Sequence, residues 1–524
     1  MNKKVTIFDS TLRDGAQGEG ISFSIEDKLA IVNALDELGV DYIEAGNPFS
    51  NPKDIEFFEH FSKTTLNNSK LVAFGSTRRK DNTAENDANL SALLSANTPA
   101  VAIFGKCWYL HVTEILGTDG QTNYDMIADT VSFLKGKGKT VFFDAEHFFD
   151  GYKDDRDYAM GALKVASDAG ADCLVLCDTN GGTFPDEIFA IVTDVVDTFG
   201  DKVGIHVHND KGMAVANSCM AVMCGATHVQ GTYLGYGERC GNANLSTIIP
   251  NLQSVKGYDC IPEENLKKIT PIARTIAEIS NTSIKSNEPY VGNSAFAHKA
   301  GMHADGVLKL PKSFEHINPE AVGNERRILM SEITGRGAVL EKIHKIDPTI
   351  EKSSPQTASV LAELKELESK GYQFEGADSS FELLIRRNIG KYKKYFELIN
   401  YKVMGGRPSA DDTTSATAMV KVKVGSQTQL MAGEGNGPIN ALDKALRHAL
   451  EVFYPMLKEV HLTDYKVRVM DSKSATASTV RVLITSTDGK DVWTTVGVSG
   501  DVVEASRLAL TESIEYKLIK TFTI

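Results

Sequence analysis

Two histidines stand one residue apart in the stretch GIHVHND, residues 204–210, which otherwise has the apolar composition of a buried strand. Side chains two positions apart on a strand point to the same side, so the rings of His206 and His208 should converge on one point. Neutral imidazole is the commonest metal ligand in proteins. Two such rings can also be hydrogen-bonded core residues, so an assignment as metal ligands depends on what the rest of the chain supplies.

A carboxylate and an amide could complete a ligand set with these histidines. Asp14 follows the first apolar run of the chain, and Asn242 lies in the glycine-rich stretch GYGERCGNANL after the last one. A mixed oxygen and nitrogen set with open positions suits a catalytic Zn²⁺, Mn²⁺ or Mg²⁺ ion rather than a closed structural zinc site. We therefore predict a catalytic divalent metal held by Asp14, His206 and His208, with Asn242 as the neutral fourth ligand.

Arg13 stands directly before Asp14 and adds a planar, positively charged guanidinium group to this set. A guanidinium can hold a carboxylate or stabilise a developing oxyanion. A metal ion and an arginine together meet the needs of an α-keto acid, because the ion can chelate its oxygens and polarise its carbonyl. Thr179 could hold the substrate carboxylate by a hydrogen bond, although a β-branched residue at a strand end has an equally good structural explanation.

These residues need a scaffold that brings distant parts of the chain together. Short β-rich runs alternate with amphipathic helical patterns through the first half of the chain, and eight such units predict a (β/α)8 TIM barrel of the α/β class. An open doubly wound sheet is the alternative fold. It should carry a Gly-rich phosphate turn after its first strand, where this chain has DSTLRDG. The eight runs are KVTIFDST, VDYIEAG, KLVAFGS, AVAIFGK, TVFFDAE, CLVLCDT, KVGIHVHN and HVQGTY.

A barrel demands that reactive residues gather at the carboxyl ends of its strands. The sequence meets this demand, since polar residues follow or end most of the predicted strands. Each one alone is weak evidence because loops begin there, but their joint placement on one rim is a stronger signal. The rim residues are Arg13, Asp14, Glu44, Asp144, Glu146, His147, Asp178, Thr179, His206, His208, Glu238, Arg239, Asn242 and Asn244.

The second half of the chain changes character. From about Pro289 to Asn388 it mixes helices with charged loops, which predicts a helical linker subdomain. The last part contains a duplication, in which SATAMVKVKV (415–424) and SATASTVRVLI (474–484) each begin strands that lead into one amphipathic helix. We predict a catalytic barrel over residues 1–285, the linker subdomain over 286–390 and a C-terminal α+β regulatory domain over 391–524.

Composition and charge exclude several classes of function. The formal net charge is −13 and no Lys/Arg cluster stands out, which argues against nucleic acid or an anionic membrane as a partner. The apolar runs have strand length, and the N-terminus enters a strand pattern without an apolar signal segment. Seven scattered cysteines are typical of reduced thiols. We expect a cytoplasmic protein that holds acidic small molecules by local positive charge.

Several of these stretches together resemble a known family. DSTLRDGAQ, HVHND and GERCGNANL are similar to motifs of the DRE-TIM metallolyase superfamily, in its Claisen-condensing branch of 2-isopropylmalate, homocitrate and citramalate synthases. AHKAGMHADGVLK (297–309), FEHINPEAVGNERRILMSEITGR (314–336) and GNGPINALDKALRHAL (435–450) extend the resemblance beyond the barrel. With FGSTRRK, FGKCWYLHVTE, DAEHFFDGYK and LCDTNGGT, they make the chain resemble the long-form (R)-citramalate synthases from end to end.

The resemblance implies an acyltransferase that condenses acetyl-CoA with pyruvate and water to give citramalate and CoA, the entry to a threonine-independent route to isoleucine. A thioester α-proton is weakly acidic, so the base must be positioned against it while the enolate is stabilised. The resemblance assigns the metal to Asp14, His206, His208 and Asn242, keto-acid binding to Arg13 and Thr179, and a part in removing the acetyl proton to Glu146 and His303.

The same resemblance implies a homodimer. In this family the linker subdomain of one subunit covers the active site in the barrel of its partner, so we expect an obligate dimer with a shared site. His303 lies in that subdomain, where a solvated loop histidine is the other explanation. The C-terminal domain resembles an allosteric module that binds the branched-chain end product, which makes isoleucine the expected feedback inhibitor.

Other readings of the sequence remain open. A 2-isopropylmalate synthase would use 2-oxoisovalerate, which differs from pyruvate by methyl groups worth only about 1–3 kcal/mol each in a hydrophobic pocket. Ala16, where 2-isopropylmalate synthases usually carry Glu, favours pyruvate, and Phe314 replaces a Tyr found in many relatives, so no phenol can donate a proton there. A biotin-dependent carboxyltransferase would need a catalytic lysine context and a biotinyl module. A branched-chain amino-acid sensor on a silent barrel should have lost Arg13, Asp14 or a histidine.

Overall fold

The computed structural model describes residues 3–61, 65–299, 301–329, 336–406, 415–470 and 478–522. The chain packs into two compact units. One comprises Met1–Phe296 and Glu315–Arg326, and the other comprises Ala297–Phe314 and Arg327–Ile524. Within the described ranges, every helix is too short or too polar to span a lipid bilayer.

Eight parallel strands close into a barrel in the first unit, and the last strand pairs with the first where Thr6 lies beside His228. This closure confirms the predicted (β/α)8 barrel, and the open doubly wound sheet is wrong. The strands are β1 (Thr6–Asp9), β2 (Tyr42–Gly46), β3 (Lys70–Ser76), β4 (Ala100–Lys106), β5 (Thr140–Glu146), β6 (Cys173–Asp178), β7 (Val203–Val207) and β8 (His228–Gly231).

Amphipathic helices cover the outside of the barrel and bury their apolar faces against the strands. Side-chain caps fix several helix starts: Ser24 and Asp27 form a capping box, and Asp119 and Asp155 accept backbone N–H groups. The helices are α1 (Ile25–Leu38), α2 (Pro52–Phe61), α3 (Ala88–Ser95), α4 (Tyr109–Glu114), α5 (Gly120–Gly136), α6 (Phe148–Asp154), α7 (Arg156–Asp168), α8 (Pro185–Phe199), α9 (Ala214–Met223), α10 (Leu245–Pro250) and α11 (Ile269–Ile279).

Alternate residues of each strand point into the barrel, and this alternation positions the polar residues of the rim. Phe8, Phe142 and His228 fill the floor, with ring centroids 5.0–5.4 Å apart. Residues two and four positions further along β5 are Asp144 and Glu146. The lower barrel is therefore a packed apolar core, while its carboxyl end carries groups that can react.

A buried ion pair joins α1 to α2. Lys28 Nζ lies 2.5 Å from Asp54 Oδ1 and donates to the carbonyl of Ala45 at 2.7 Å. Burial lowers the pKa of Lys28, and Asp54 opposes that shift. The substitution Lys28→Met would leave the Asp54 carboxylate buried without its partner. We expect the free energy of unfolding of the barrel to fall by about 3–5 kcal/mol.

Urea denaturation followed by circular dichroism measures this change. Lys164 is the matched control, because its ion pair with Asp168 is solvent-exposed. Lys164→Met should change the free energy by no more than about 0.5 kcal/mol. Equal small losses in the two variants would show that the buried pair does not stabilise the barrel.

The second unit begins with helices and a short parallel pair of strands. Val307, Val339, Leu364 and Phe381 belong to one apolar cluster that holds these helices together. The elements are β9 (Ala297–His298), α12 (Gly301–Lys309), β10 (Arg327–Ile328), α13 (Arg336–His344), α14 (Pro355–Ser369) and α15 (Asp378–Asn388).

Two copies of one motif, three antiparallel strands followed by a helix, complete the second unit. They confirm the predicted duplication and the α+β character of this part; residues 474–477, which open the second predicted copy, lie outside the described residues. The division at 285 and 390 stays a prediction. The elements are β11 (Glu397–Gly405), β12 (Ala416–Val424), β13 (Gln427–Gly435), α16 (Pro438–Glu451), β14 (His461–Val469), β15 (Val480–Thr487), β16 (Val492–Ser499) and α17 (Val502–Phe522).

Candidate active site

Asp14, His206 and His208 meet at the carboxyl end of the barrel. Asp14 Oδ2 lies 3.4 Å from His206 Nε2, and the Nε2 atoms of the two histidines lie 3.4 Å apart. One ligand atom from each residue lies within 4.8 Å of the others, and all three residues are buried. The two-residue period of β7 puts both rings on one side, and barrel closure brings the end of β1 to them.

Buried oxygens at this point fit a bound cation. Asp14 Oδ1 and Asn242 Oδ1 are buried and have no hydrogen-bond partner in the part of the chain that the structure describes. Asn242 Nδ2 donates to the carbonyl of Tyr236 at 3.1 Å, so only its oxygen is left over. A Cβ on Gly237 would lie 2.2 Å from Asn242 Nδ2, which explains the glycine there. Since unpaired buried oxygens are costly, this donor set is a candidate site for a divalent metal ion.

At Asp14 and His208, burial and the neighbouring charges favour the protonation state that a bound cation needs. Burial alone would raise the pKa of Asp14, but Arg13 and His206 hold it well below its ordinary range. Burial lowers the pKa of His208 to about 4, and His206 adds to the shift. Burial opposes the charged form of His206 too, but its contact with Asp14 raises its pKa. At neutral pH the Asp14 carboxyl is therefore ionised and the His208 ring neutral, which are the forms that can bind a cation.

Arg13 is held beside the cluster by three contacts. Its Nε donates to Glu44 Oε2 at 2.6 Å, its Nη1 lies 3.3 Å from Asp14 Oδ2, and its guanidinium lies 3.7 Å from the centre of the Phe74 ring. Glu44 is fully buried and also accepts a hydrogen bond from Ser10 Oγ. Glu44 therefore fixes the direction in which the guanidinium points.

Glu146, at the end of β5, and Thr179, directly after β6, line the same cavity. Glu146 forms an ion pair with Lys106, the last residue of β4. Thr179 Oγ1 accepts the backbone N–H of His147 at 2.9 Å. That contact uses an oxygen lone pair and leaves the hydroxyl hydrogen of Thr179 free to donate to a ligand.

A cavity of about 240 Å³ connects these groups. Phe74 and Phe104 form an apolar wall, with their rings stacked at 5.6 Å. Asp144 accepts a hydrogen bond from Gln230 at 3.0 Å, and burial, with the negative charge of Glu44 adding to it, raises its pKa to about 7. The cavity is lined by Arg13, Asp14, Gln17, Phe74, Phe104, Asp144, Glu146, Cys177, Thr179, His206, His208, Glu238 and Arg239.

His303 is the predicted site residue that lies in the second unit. It is exposed on α12, and its ring centroid lies 4.6 Å from that of Phe314. Its part in catalysis stays a prediction.

Five lining or supporting residues were missed by the sequence analysis: Gln17, Phe74, Phe104, Lys106 and Cys177. A signal for three of them existed. Phe74 in KLVAFGS, and Phe104 and Lys106 in AVAIFGK, occupy the inward positions of β3 and β4 near their carboxyl ends. Counting back in steps of two from each strand end would have found them.

Known sequences match this chain over its whole length. A family model described as HMGL-like matches residues 4–276, one described as homocitrate synthase post-HMGL domain-like matches 290–372, and one described as LeuA allosteric (dimerisation) domain matches 375–518. An (R)-citramalate synthase of Aquifex aeolicus is 52% identical over 521 residues, covering 99% of each chain.

Two further relatives show that sequence identity is higher to a citramalate synthase than to a 2-isopropylmalate synthase. An (R)-citramalate synthase of Geobacter sulfurreducens is 48% identical over 517 residues, which cover 99% of this chain and 98% of the relative. A 2-isopropylmalate synthase of Clostridium kluyveri is 29% identical over 532 residues, which cover 100% of this chain and 98% of the relative.

Proposed function

Because this chain belongs to the HMGL-like family and, within it, to the (R)-citramalate synthases, we propose that it condenses acetyl-CoA with pyruvate and water to give (R)-citramalate and CoA. The observation that carries the proposal is the convergence of Asp14, His206 and His208 beside Arg13 in one cavity at the carboxyl end of the barrel. That end of a TIM barrel is where catalytic groups collect. The retained set also argues against a silent sensor.

Asp14, His206, His208 and Asn242 are the proposed ligands of a divalent ion, Mn²⁺, Mg²⁺ or Zn²⁺. When bound, the ion would polarise the keto group of pyruvate and favour attack on its carbon. Support for this assignment comes from the short distances among the three buried ligands and from the unpartnered Asn242 oxygen.

Arg13 and Thr179 are the proposed partners of the pyruvate oxygens. The guanidinium carries a positive charge that Glu44 orients, so it can hold an oxyanion as charge develops. The Thr179 hydroxyl can donate to the carboxylate, since the hydrogen bond from His147 leaves its own hydrogen free. Together they would hold pyruvate in one orientation before the carbon–carbon bond forms.

Glu146 is the proposed base at the acetyl methyl group, and Lys106 fixes its position through their ion pair. Loss of a proton gives the enolate of acetyl-CoA. Its methylene carbon attacks the keto carbon of pyruvate, and the π electrons of the keto group move to its oxygen. Protonation gives citramalyl-CoA, and water then cleaves the thioester to citramalate and CoA. We also propose that His303, inside the segment matched by the post-HMGL model, takes part in this proton transfer.

We propose that Phe74 and Phe104 limit the size of the keto acid's side chain that the cavity accepts. Their stacked rings form the apolar wall of a small cavity, which suits a methyl group better than a branched isopropyl group. The sequence identities agree with this choice, because five citramalate synthases are 44–52% identical to the chain, whereas 2-isopropylmalate synthases are 29–31% identical to it.

Phe104→Ala should open the cavity to 2-oxoisovalerate. We expect the ratio of kcat/KM for pyruvate to kcat/KM for 2-oxoisovalerate to fall by about 10- to 100-fold, the discrimination that one or two methyl groups provide. Steady-state kinetics with both acids measure the ratio. Phe189→Ala, at an exposed phenylalanine on α8, is the control and should leave it unchanged. An unchanged ratio in Phe104→Ala would show that Phe104 does not determine the selectivity for pyruvate.

The release of CoA from acetyl-CoA, followed with a thiol reagent, tests the proposed reaction. We expect turnover with pyruvate to exceed turnover with 2-oxoisovalerate by at least about tenfold. Preference for 2-oxoisovalerate would make the chain a 2-isopropylmalate synthase. No release with either acid would contradict the proposed chemistry.

The C-terminal domain, residues 391–524, is the proposed regulatory part. The match of residues 375–518 to the LeuA allosteric (dimerisation) domain supports a homodimer with an allosteric site. We propose isoleucine, the end product that the resemblance to citramalate synthases implies, as the feedback inhibitor. Activity assays with isoleucine, leucine and valine test this, and inhibition by leucine alone would contradict it. We also propose that the enzyme works in the cytoplasm, since all seven of its cysteines are free.

A further inference from the structure

The proposed function leaves the larger part of acetyl-CoA without a binding site. The cavity beside Arg13 measures about 240 Å³ and suits pyruvate and an acetyl group. CoA carries in addition a pantetheine arm, a diphosphate and a 3′-phosphorylated adenosine. The diphosphate and the 3′-phosphate are anionic and need positive charge, which a chain of net charge −13 can supply only locally.

A second cavity, of about 340 Å³, shares Phe104 with the first. The turn after β3 forms one side, and the end of β4 with the residues around α4 and α5 forms the other. Its walls combine apolar side chains with cations. It is lined by Ser76, Thr77, Arg78, Arg79, Lys80, Asp81, Phe104, Gly105, Lys106, Ile115, Leu116 and Met126.

Two of the four cations in this cavity are already engaged. Arg78 is buried, pairs with Asp129 at 2.7 Å and donates to backbone carbonyls of its own turn, so it holds the turn in shape. Lys106 pairs with Glu146, which lines the first cavity. Lys106 therefore marks the passage from one cavity to the other.

The other two cations, Arg79 and Lys80, are exposed, and among the described residues neither has a carboxylate within ion-pair distance. Lys80 Nζ donates to the carbonyls of Leu116 and Gly117 at 3.2 and 3.0 Å, which holds its ammonium group at the edge of the cavity. The backbone N–H of Arg79 donates to Asp87 at 2.9 Å and fixes the turn. Asp81, the next residue of the turn, also lines the cavity but forms no ion pair with either cation among the described residues. Two cations without a carboxylate partner on one turn are suited to binding phosphate.

We infer that this second cavity receives the phosphorylated arm of acetyl-CoA, with Arg79 and Lys80 contacting its phosphate groups. The inference rests on the proposed function. In this arrangement the thioester lies beside Glu146 in the first cavity. The pantetheine arm passes Lys106 and lies against Phe104, Ile115 and Leu116, and the phosphates reach the turn after β3.

The double variant Arg79→Ala/Lys80→Ala tests the inference, with acetyl-CoA and acetyl-pantetheine as alternative substrates. We expect KM for acetyl-CoA to rise by about 10- to 100-fold, because charge-assisted hydrogen bonds to phosphate are lost. KM for pyruvate and kcat should stay within about twofold of wild type. With acetyl-pantetheine, which carries no phosphate, variant and wild type should be equal.

Lys137→Ala/Lys164→Ala is the matched control, since it removes two exposed lysines on the outside of the barrel, one directly after α5 and one on α7. It should leave every constant unchanged. An unchanged KM for acetyl-CoA in the Arg79/Lys80 variant would overturn the inference, and so would an equal loss with acetyl-pantetheine. Titration calorimetry with free CoA gives a test independent of turnover: a weaker Kd in the variant supports the inference even if the proposed reaction fails, and an unchanged Kd overturns it.

Discussion

Replacing His206 by alanine should abolish the proposed metal binding and lower kcat with pyruvate by about 10³-fold or more. His206 is the central member of the cluster, since its Nε2 lies 3.4 Å from both Asp14 Oδ2 and His208 Nε2. Without it, Asp14, His208 and the amide oxygen of Asn242 are left of the proposed ligand set. Polarisation of the keto group by a metal is worth several kcal/mol, and each 1.36 kcal/mol is about a factor of ten in rate.

Elemental analysis after dialysis, together with steady-state kinetics, measures both effects. His228 provides the control, because it is a buried barrel histidine at the opposite end of β8, where it stacks on Phe142. His228→Phe keeps a ring in the floor and should retain metal and activity. A His206→Ala enzyme that kept a full equivalent of metal and wild-type turnover would remove this histidine from the site.

Replacing Arg13 by lysine should lower kcat/KM for pyruvate by about 10²- to 10³-fold while the metal content stays full. Lysine keeps the charge but loses the planar fork that Glu44 and the Phe74 ring hold in place. One preorganised donor to a developing oxyanion is worth about this much in rate. Retention of metal would separate this defect from the loss of a metal ligand.

Arg156 is a matched control for replacing a guanidinium group by an ammonium group. It makes contacts of 2.8–3.0 Å to Asp194 on the outside of the barrel, and Arg156→Lys should leave kcat/KM unchanged. Kinetics at saturating acetyl-CoA measure both variants. A value for Arg13→Lys within about threefold of wild type would contradict a role for the fork in the transition state.

The barrel and its rim were predictable because their signals are local. Buried parallel strands are continuous apolar runs, and the spacing of His206 and His208 follows from the strand period alone. The motif around Arg13 and Asp14 lies at a strand end, where a barrel presents reactive groups. These features can be predicted without knowing the register of one strand against its neighbour.

The contacts between strands could not be predicted in the same way. Lys106 meets Glu146 because the register of β4 against β5 sets these two residues side by side. Glu44 meets Arg13 because β2 lies beside β1 in the closed barrel. Register between parallel strands depends on packing across the whole barrel, which a single sequence does not encode in its spacing.

The charge of the chain illustrates the same limit. A net charge of −13 without a Lys/Arg cluster indicated that acidic small molecules must be held by local positive charge, but not where that charge lies. In the turn after β3, Arg78 pairs with Asp129, whereas Arg79 and Lys80 have no carboxylate within ion-pair distance among the described residues. The positions of the side chains decide which charges form ion pairs, and these positions are known only from the structure.

Identification of the product tests the central claim most directly. Wild-type enzyme is incubated with acetyl-CoA and pyruvate, before and after metal removal by a chelator and after Mn²⁺, Mg²⁺ or Zn²⁺ is added back, and the products are separated on a chiral column. We predict equal amounts of CoA and (R)-citramalate, loss of both after chelation and recovery with at least one ion. Release of CoA without citramalate, or formation of citramalate that chelation does not affect, would contradict the account.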